Sequence, residues 1–120
     1  MKVLIVDDSR TMRMVVRKTL RQANLGTFDI EEACNGREAM EKVSVWKPDL
    51  ILSDWNMPEM DGPALLNAVR SSGNIYVKFG FITSQATAAS HAIARSAGAA
   101  FMVAKPFSPE DLEVAIRPIL

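Results

Sequence analysis

Five short segments of strand character alternate along the chain with five segments of helical character, and no other feature of the sequence restricts the fold as much. The first strand segment, residues 2–6, is apolar at every position after its lysine, which is typical of a strand buried on both faces. The other predicted strands are residues 28–33, 49–53, 77–82 and 100–103. Because strands that alternate with helices form parallel sheets covered on both faces, we predict an α/β, doubly wound fold.

Residue spacing and end signals predict the helices between these strands. In the first helix, apolar side chains recur at intervals of three and four, at Met12, Val15, Val16, Leu20 and Ala23. Four arginines form another stripe of the same helix, which we expect to be a solvated face. The remaining predicted helices are residues 37–46, 63–71 and 86–97, and a last one that Ser108 caps. Pro48 ends the second helix, and Gly98 suits the left-handed position that closes the fourth.

The composition fits a single domain without net charge. The 120 residues carry 14 basic and 14 acidic side chains, which argues against a nucleic-acid binder held by charge. The apolar opening is cut short by Asp7 and Asp8, too soon for a signal peptide or a membrane span. Cys34 is the only cysteine, so no internal disulfide can form, and we expect it to be a small buried residue. We therefore expect one cytoplasmic, monomeric domain over residues 1–120, with no output domain.

Most of the unusual polar residues fall where the predicted strands end. They are Asp7 and Asp8 after the first strand, Asp54 after the third, Thr83 after the fourth and Lys105 after the fifth. In an open parallel sheet, ligands bind outside the carboxyl ends of the strands, where the strand order reverses. A five-stranded sheet of order 2-1-3-4-5 would place that crevice between strands one and three, so the three aspartates would face one another.

Three carboxylates gathered in this way need a proton or a cation. At about 4 Å and an effective dielectric constant of about 20, one like-charge pair costs roughly 4 kcal/mol. An all-oxygen cluster with few protein ligands suits Mg²⁺, which keeps several waters and readily bridges to a phosphate. One carboxylate could then attack phosphorus, while Thr83 donates a hydrogen bond to the new phosphoryl group and Lys105 places an ammonium beside it.

Four motifs in the right order give the chain a resemblance to a known family. They are Val-Asp-Asp-Ser at 6–9, Ser-Asp-Trp-Asn-Met-Pro-Glu-Met-Asp-Gly at 53–62, Ile-Thr-Ser at 82–84 and Lys-Pro-Phe at 105–107. With these motifs the whole chain resembles bacterial two-component response-regulator receiver domains, and residues 54–58 look closest to the stand-alone, CheY-like chemotaxis members. The resemblance implies the flavodoxin-like (βα)₅ fold with the 2-1-3-4-5 order.

The resemblance also implies a role for each matching residue. Asp54 would be the phosphoacceptor, and Thr83 and Lys105 would contact the phosphoryl group. The implied Mg²⁺ ligands are Asp8 and Asp54 directly, Asp7 largely through water, and the backbone carbonyl of Asn56. A cis peptide bond between Lys105 and Pro106 is implied as well.

One position departs from the family pattern. The family usually has Tyr or Phe three residues before the conserved lysine, and this ring moves inward together with the threonine that corresponds to Thr83. Here the position is Met102, and Phe101 lies one place earlier. We expect phosphorylation to survive this change. We expect the response of the two switch residues, Thr83 and Met102, to be weaker or rerouted at the face formed by the fourth helix, fifth strand and fifth helix.

The favoured function is a phosphorylation-activated signalling switch that catalyses only its own phosphorylation and dephosphorylation. Its expected partners are a sensor histidine kinase or phosphotransfer protein, and a downstream protein such as a flagellar motor component or a phosphatase, with no nucleic acid or membrane. One alternative is a Mg²⁺-dependent aspartyl-phosphate phosphohydrolase. Those enzymes carry a nucleophile on the first strand and a second Asp two residues later, whereas Asp7 and Asp8 are adjacent and Arg10 follows. The other alternative is a pseudo-receiver that binds partners without being phosphorylated.

Overall fold

The computed structural model describes residues 1–120 and contains one parallel sheet of five strands in the order β2-β1-β3-β4-β5. The elements are β1 (Lys2–Val6), α1 (Arg10–Gln22), β2 (Asp29–Ala33), α2 (Gly36–Val45), β3 (Leu50–Asp54), α3 (Gly62–Ser71), β4 (Lys78–Thr83), α4 (Ala88–Ala97), β5 (Phe101–Ala104) and α5 (Pro109–Ile116), followed by a 3₁₀ turn at Arg117–Ile119. The predicted fold class and strand order are both confirmed. None of the helices has the length and apolar character that crossing a membrane requires.

At most of their ends, the strands differ by one residue from the predicted boundaries. β3 runs one residue further than expected, so that Asp54 is its last residue and pairs in register with Ile82 of β4. β4 likewise extends to Thr83, and β5 begins at Phe101. These shifts place Asp54 and Thr83 at the very ends of their strands, inside the hydrogen-bonded sheet.

Two layers of helices cover the sheet. α1 and α5 pack on one face, where the fully buried residues include Ile5, Leu20 and Leu112. α2, α3 and α4 pack on the other face, around Leu65 and Phe79. A buried side chain of this size stabilises the fold by roughly 1.5–3 kcal/mol, so both layers contribute strongly to holding the strand ends in place.

Each helix begins at a side-chain cap close to a strand end. Ser9 caps α1 by accepting a hydrogen bond from the Met12 N–H, and Thr87 caps α4, so that this helix starts two residues later than predicted. Ser108 caps α5, as predicted. Gly98 closes α4 in the left-handed conformation that its sequence position predicts, with φ of 93°. Since such a cap is worth about 1 kcal/mol, the capping residues fix where each loop stops.

Two predictions about residues near the edge strand β2 are wrong. The arginine stripe of α1 is only partly solvated, because Arg13 and Arg17 both bind the carboxylate of Glu32 at 2.9 Å. These bonds outweigh burial, which alone would raise the pKa of Glu32, and they lower it below the ordinary value. Cys34 is exposed, not buried, because it lies in the connection just past the end of β2 and not within the sheet.

Candidate functional site

The structure brings all the predicted side chains of the site to one edge of the sheet. Asp7 and Asp8 follow β1, Asp54 ends β3 and Thr83 ends β4. Lys105 follows β5, and the predicted cis bond to Pro106 is present. Parallel strands carry their carboxyl ends on the same side, so residues almost a hundred positions apart in sequence meet there.

The three aspartates form a compact oxygen cluster. One carboxylate oxygen from each of Asp7, Asp8 and Asp54 lies within 4.8 Å of the other two. Asp7 is buried, Asp54 is partly buried and Asp8 is exposed, so the cluster opens to solvent on one side. A small group of carboxylate oxygens with room for water is the donor set that Mg²⁺ prefers. The residues present therefore fit a magnesium ion.

Asp7 is the most buried acid of the cluster, with 4% of its surface exposed. Burial raises its pKa, and the neighbouring charges of Asp54 and Asp8 add to this effect. A hydrogen bond of 2.8 Å from the Ser9 N–H and the positive charge of Lys105 act in the opposite direction without cancelling it. The free protein therefore holds a negative charge here at a cost that a bound cation would relieve.

The two oxygens of Asp54 have different surroundings. Oδ1 accepts a 2.8 Å hydrogen bond from the Trp55 N–H and lies 3.3 Å from the Lys105 ammonium. Oδ2 accepts no hydrogen bond from the chain, so it is the oxygen with free lone pairs. The Trp55 ring packs edge-on against Phe81, with 4.8 Å between ring centroids, which anchors the residue after Asp54 to the core.

Lys105 is the cation of the site. Its Nζ lies 3.3 Å from Asp54 Oδ1 and 3.6 Å from Asp7 Oδ2, and the side chain is 18% exposed. It therefore bridges two of the three carboxylates. With all groups ionised, three negative charges face one ammonium, and the excess favours a bound cation.

Thr83 and Asn56 complete the set of predicted residues. Thr83 is fully buried, and its Oγ1 accepts a hydrogen bond from the Gln85 N–H at 2.9 Å. The hydroxyl is thus anchored to the loop that leads into α4. Asn56 lies in the segment between β3 and α3 with its side chain exposed. The part of its backbone carbonyl in metal binding stays a prediction.

Met102 and Phe101 lie on opposite faces of β5. Met102 packs with the cluster under α2, α3 and α4, and its Sδ lies 3.6 Å from the Ser90 hydroxyl oxygen. Phe101 packs on the α1 and α5 side, and its ring lies against Gly80 of β4, where a Cβ would overlap it. Because a shift of one residue along a strand reverses the face, Phe101 does not replace the missing aromatic ring at position 102.

Sequence reasoning missed two residues that shape the site. A Cβ at Gly62 would lie 2.5 Å from the Asp54 carbonyl oxygen and 2.6 Å from the Phe81 ring, so only glycine lets α3 begin this close to Asp54. Ser90 is a buried polar residue in the first turn of α4. Gly62 stands inside a quoted motif, which was a usable signal, whereas nothing in the sequence marks Ser90.

Comparison with known proteins defines the class that this fold and this site represent. Residues 3–117 match the model of the response regulator receiver domain, and the chain belongs to that family. It is 38% identical over 122 aligned positions to chemotaxis protein CheY1 of Helicobacter pylori, covering 100% of this chain and 97% of that protein.

Solved structures give the same result for the fold. Chemotaxis protein CheY4 of Vibrio cholerae superposes with a TM-score of 0.87 at 35% identity, covering 99% of this chain and 98% of that chain. The receiver domain of the Francisella response regulator 1452 has a TM-score of 0.85 at 23% identity, covering 98% and 94%, a likeness that concerns the fold alone. The predicted family and fold are thereby confirmed.

Proposed function

We propose that this chain is a phosphorylation-activated switch of chemotaxis-type two-component signalling. Asp54 accepts a phosphoryl group from a histidine kinase or a phosphotransfer protein, with Mg²⁺ as cofactor. The observation that supports this most is the convergence of a cation and an acidic cluster on Asp54, at the sheet edge of a receiver-family chain. The output is a change in binding to another protein in the cytoplasm.

The residues of the chain divide the transfer between them. Asp54 Oδ2, the oxygen without a hydrogen bond, attacks phosphorus, while the bond from phosphorus to the donor's imidazole nitrogen breaks and the nitrogen keeps the electron pair. Asp7, Asp8, Asp54 and the carbonyl of Asn56 would hold Mg²⁺, which when bound neutralises charge on the phosphoryl oxygens. Lys105 lies 3.3 Å from the other oxygen of Asp54, close enough to pair with the phosphoryl group once it is attached.

Charge explains why the product differs from the free protein. The acyl phosphate adds about one negative charge at the end of β3 compared with the carboxylate. A hydroxyl donor stabilises that charge, so the Thr83 hydroxyl moves towards the phosphoryl oxygens. Its present partner is the Gln85 N–H at 2.9 Å, and this bond lengthens as the hydroxyl moves. The loop before α4 therefore responds to the state of Asp54.

Acetyl phosphate tests this proposal without a partner protein. Wild type, with and without Mg²⁺, is compared with Asp54→Asn by intact mass and by Trp55 fluorescence. We expect a Mg²⁺-dependent gain of one phosphoryl group that is lost in the variant. No mass gain in the wild type would contradict the proposal and favour the pseudo-receiver.

The phosphohydrolase alternative makes a different prediction. The proposed nucleophile, Asp54, lies at the end of β3, whereas those enzymes carry theirs on β1. We therefore expect the wild type to be phosphorylated once and to show no multiple turnover of p-nitrophenyl phosphate. Sustained release of p-nitrophenol that Asp7→Asn abolishes would support the enzyme instead.

A further inference from the structure

Between the site and β5, the Ser90 hydroxyl is the polar group with the most hydrogen-bond contacts. It is buried in the first turn of α4, where Oγ accepts a hydrogen bond from the Thr87 N–H at 2.8 Å. Three acceptors surround it as well: the Gln85 carbonyl at 2.8 Å, the Thr87 carbonyl at 3.0 Å and Met102 Sδ at 3.6 Å. Ser90 thus contacts both the loop and the strand.

A serine hydroxyl has only one proton to donate. It can satisfy one of the three acceptors at a time, and the shortest contact is to the Gln85 carbonyl. Rotation about a single bond redirects the proton to Thr87 or to the Met102 sulfur. Ser90 therefore has discrete hydrogen-bonded arrangements, as an element that couples two sites requires.

Gln85 links this hydroxyl to the phosphorylation site. Its N–H donates to Thr83 Oγ1, and its carbonyl accepts from Ser90 Oγ. The Gln85 carbonyl also accepts a hydrogen bond from the Thr87 N–H at 2.9 Å. When the Thr83 hydroxyl moves away, the backbone of Gln85 loses one of these three hydrogen bonds. The carbonyl then reorients, and the Ser90 proton turns to another acceptor.

Met102 carries the change to the surface. It lines a recess of about 230 Å³ between α4 and β5 and a second one of about 400 Å³ on the α5 side. Its side chain is flexible and has a polarisable sulfur that accepts a hydrogen bond weakly. Because Met102 lines both recesses, a movement of its side chain away from Ser90 changes both.

We infer that Ser90 is the positioning residue through which phosphorylation of Asp54 moves Met102. This rests on the proposed function and assigns Ser90 the coupling step. The phosphoryl group draws Thr83, Gln85 loses its N–H partner, and the Ser90 hydroxyl changes acceptor. Met102 follows, and the α4–β5 surface changes without an aromatic ring.

Methyl NMR of protein labelled with ¹³C-methyl methionine tests the inference, with acetyl phosphate and Mg²⁺ as the phosphorylation mixture. Met102→Leu identifies the Met102 resonance, and intact mass measures phosphorylation in the same samples. The variants are Ser90→Ala, Ser90→Thr and Thr87→Val. The last removes the Thr87 hydroxyl, which caps α4 and lies 3.2 Å from Ser90 Oγ, but leaves the Ser90 hydroxyl with its contacts to the Gln85 carbonyl and the Met102 sulfur. It therefore controls for a weakened helix start.

We expect all of these proteins to gain one phosphoryl group. The Met102 methyl shift change on phosphorylation should be largely lost in Ser90→Ala and retained in Ser90→Thr and Thr87→Val. The inference would be overturned if the Met102 methyl of phosphorylated Ser90→Ala shifted as much as it does in the wild type. It would also be overturned if Ser90→Ala alone failed to be phosphorylated. No phosphorylation of the wild type would instead refute the proposed function.

The wild type alone provides a second test that does not depend on whether a variant folds. As phosphorylation proceeds, the Gln85 amide and the Met102 methyl should shift together. A Met102 shift with an unchanged Gln85 amide would overturn the inference, because the route then bypasses the loop.

Discussion

Replacing Asp7 with asparagine should stabilise the protein in the absence of Mg²⁺, although it damages the proposed metal site. Asp7 is almost fully buried, and burial together with the charges of Asp54 and Asp8 raises its pKa. Asparagine has nearly the same shape, and its carbonyl oxygen keeps the hydrogen bond from the Ser9 N–H. The substitution therefore removes a disfavoured charge and little else.

The expected gain follows from the distances. At the upper limit of 4.8 Å and an effective dielectric constant of about 20, each of the two other carboxylates repels Asp7 by at least about 3.5 kcal/mol. The attraction of Asp7 to Lys105 at 3.6 Å is about 4.6 kcal/mol on the same scale. About 2 kcal/mol of net repulsion remains, and solvent around the exposed Asp8 weakens all these terms. We expect Asp7→Asn to be more stable by roughly 1–2 kcal/mol.

The pH dependence has a definite sign. Because the pKa of Asp7 is higher in the folded protein than in the unfolded chain, the folded state takes up the proton first as pH falls. The wild type loses stability relative to the variant as pH rises through the folded pKa. The stability advantage of Asp7→Asn should therefore be largest at neutral pH and should shrink as pH falls to the pKa of Asp7 in the unfolded chain.

Urea denaturation with EDTA, and again with Mg²⁺, measures the effect. Mg²⁺ should stabilise the wild type by binding its folded state and should stabilise Asp7→Asn less. Asp29→Asn is the matched control, because Asp29 is exposed at the start of β2 and should change stability by no more than about 0.5 kcal/mol. A variant no more stable than the wild type in EDTA would refute the reasoning.

Three further substitutions test other parts of the structure. Gly62→Ala should destabilise the fold by about 1–3 kcal/mol in urea denaturation, because its Cβ would meet backbone and a buried ring; wild-type stability would show that α3 can shift freely. Glu32→Gln should lower stability at pH values above the pKa of Glu32 in the unfolded chain, near the ordinary 4.5, since Arg13 and Arg17 lower the pKa of Glu32 in the folded protein. The stability difference between wild type and variant should disappear as pH falls through the folded pKa. A difference that does not depend on pH would show that the ion pairs of Glu32 are not its cause. Ser108→Ala should cost about 1 kcal/mol of stability, because the α5 cap is lost, and should leave phosphorylation by acetyl phosphate unchanged. Loss of phosphorylation in this variant would contradict a purely structural role for Ser108.

Much of the fold could be predicted because its signals are local. A buried strand such as β1 is recognisable as an apolar run, and Gly98 and Ser108 mark helix ends through backbone chemistry. The strand order was implied by the resemblance to receiver domains, and with that order Asp7 and Asp54 lie at neighbouring strand ends. The site could be predicted for the same reason, since each functional side chain directly follows or ends a strand.

The remaining features depend on contacts between distant elements. The exposure of Cys34 depends on where β2 ends, since Ala33, the last residue of the strand, is buried and Cys34, the next residue, is not. Arg13 and Arg17 look solvated in a helical pattern and become bound only because β2 places Glu32 opposite them. The contact of the Ser90 hydroxyl with the Met102 sulfur likewise exists only after α4 and β5 have docked.

The scattering of the site over the sequence has a consequence for the use of this protein in folding studies. The carboxylates come from β1 and β3, while the ammonium beside them comes from beyond the edge strand β5. A chain that has formed only its first three strands would hold the acids without the cation. Acceptance of a phosphoryl group by Asp54 would then report that the last strand has docked, so a phosphorylation assay would count completely folded molecules in a mixture.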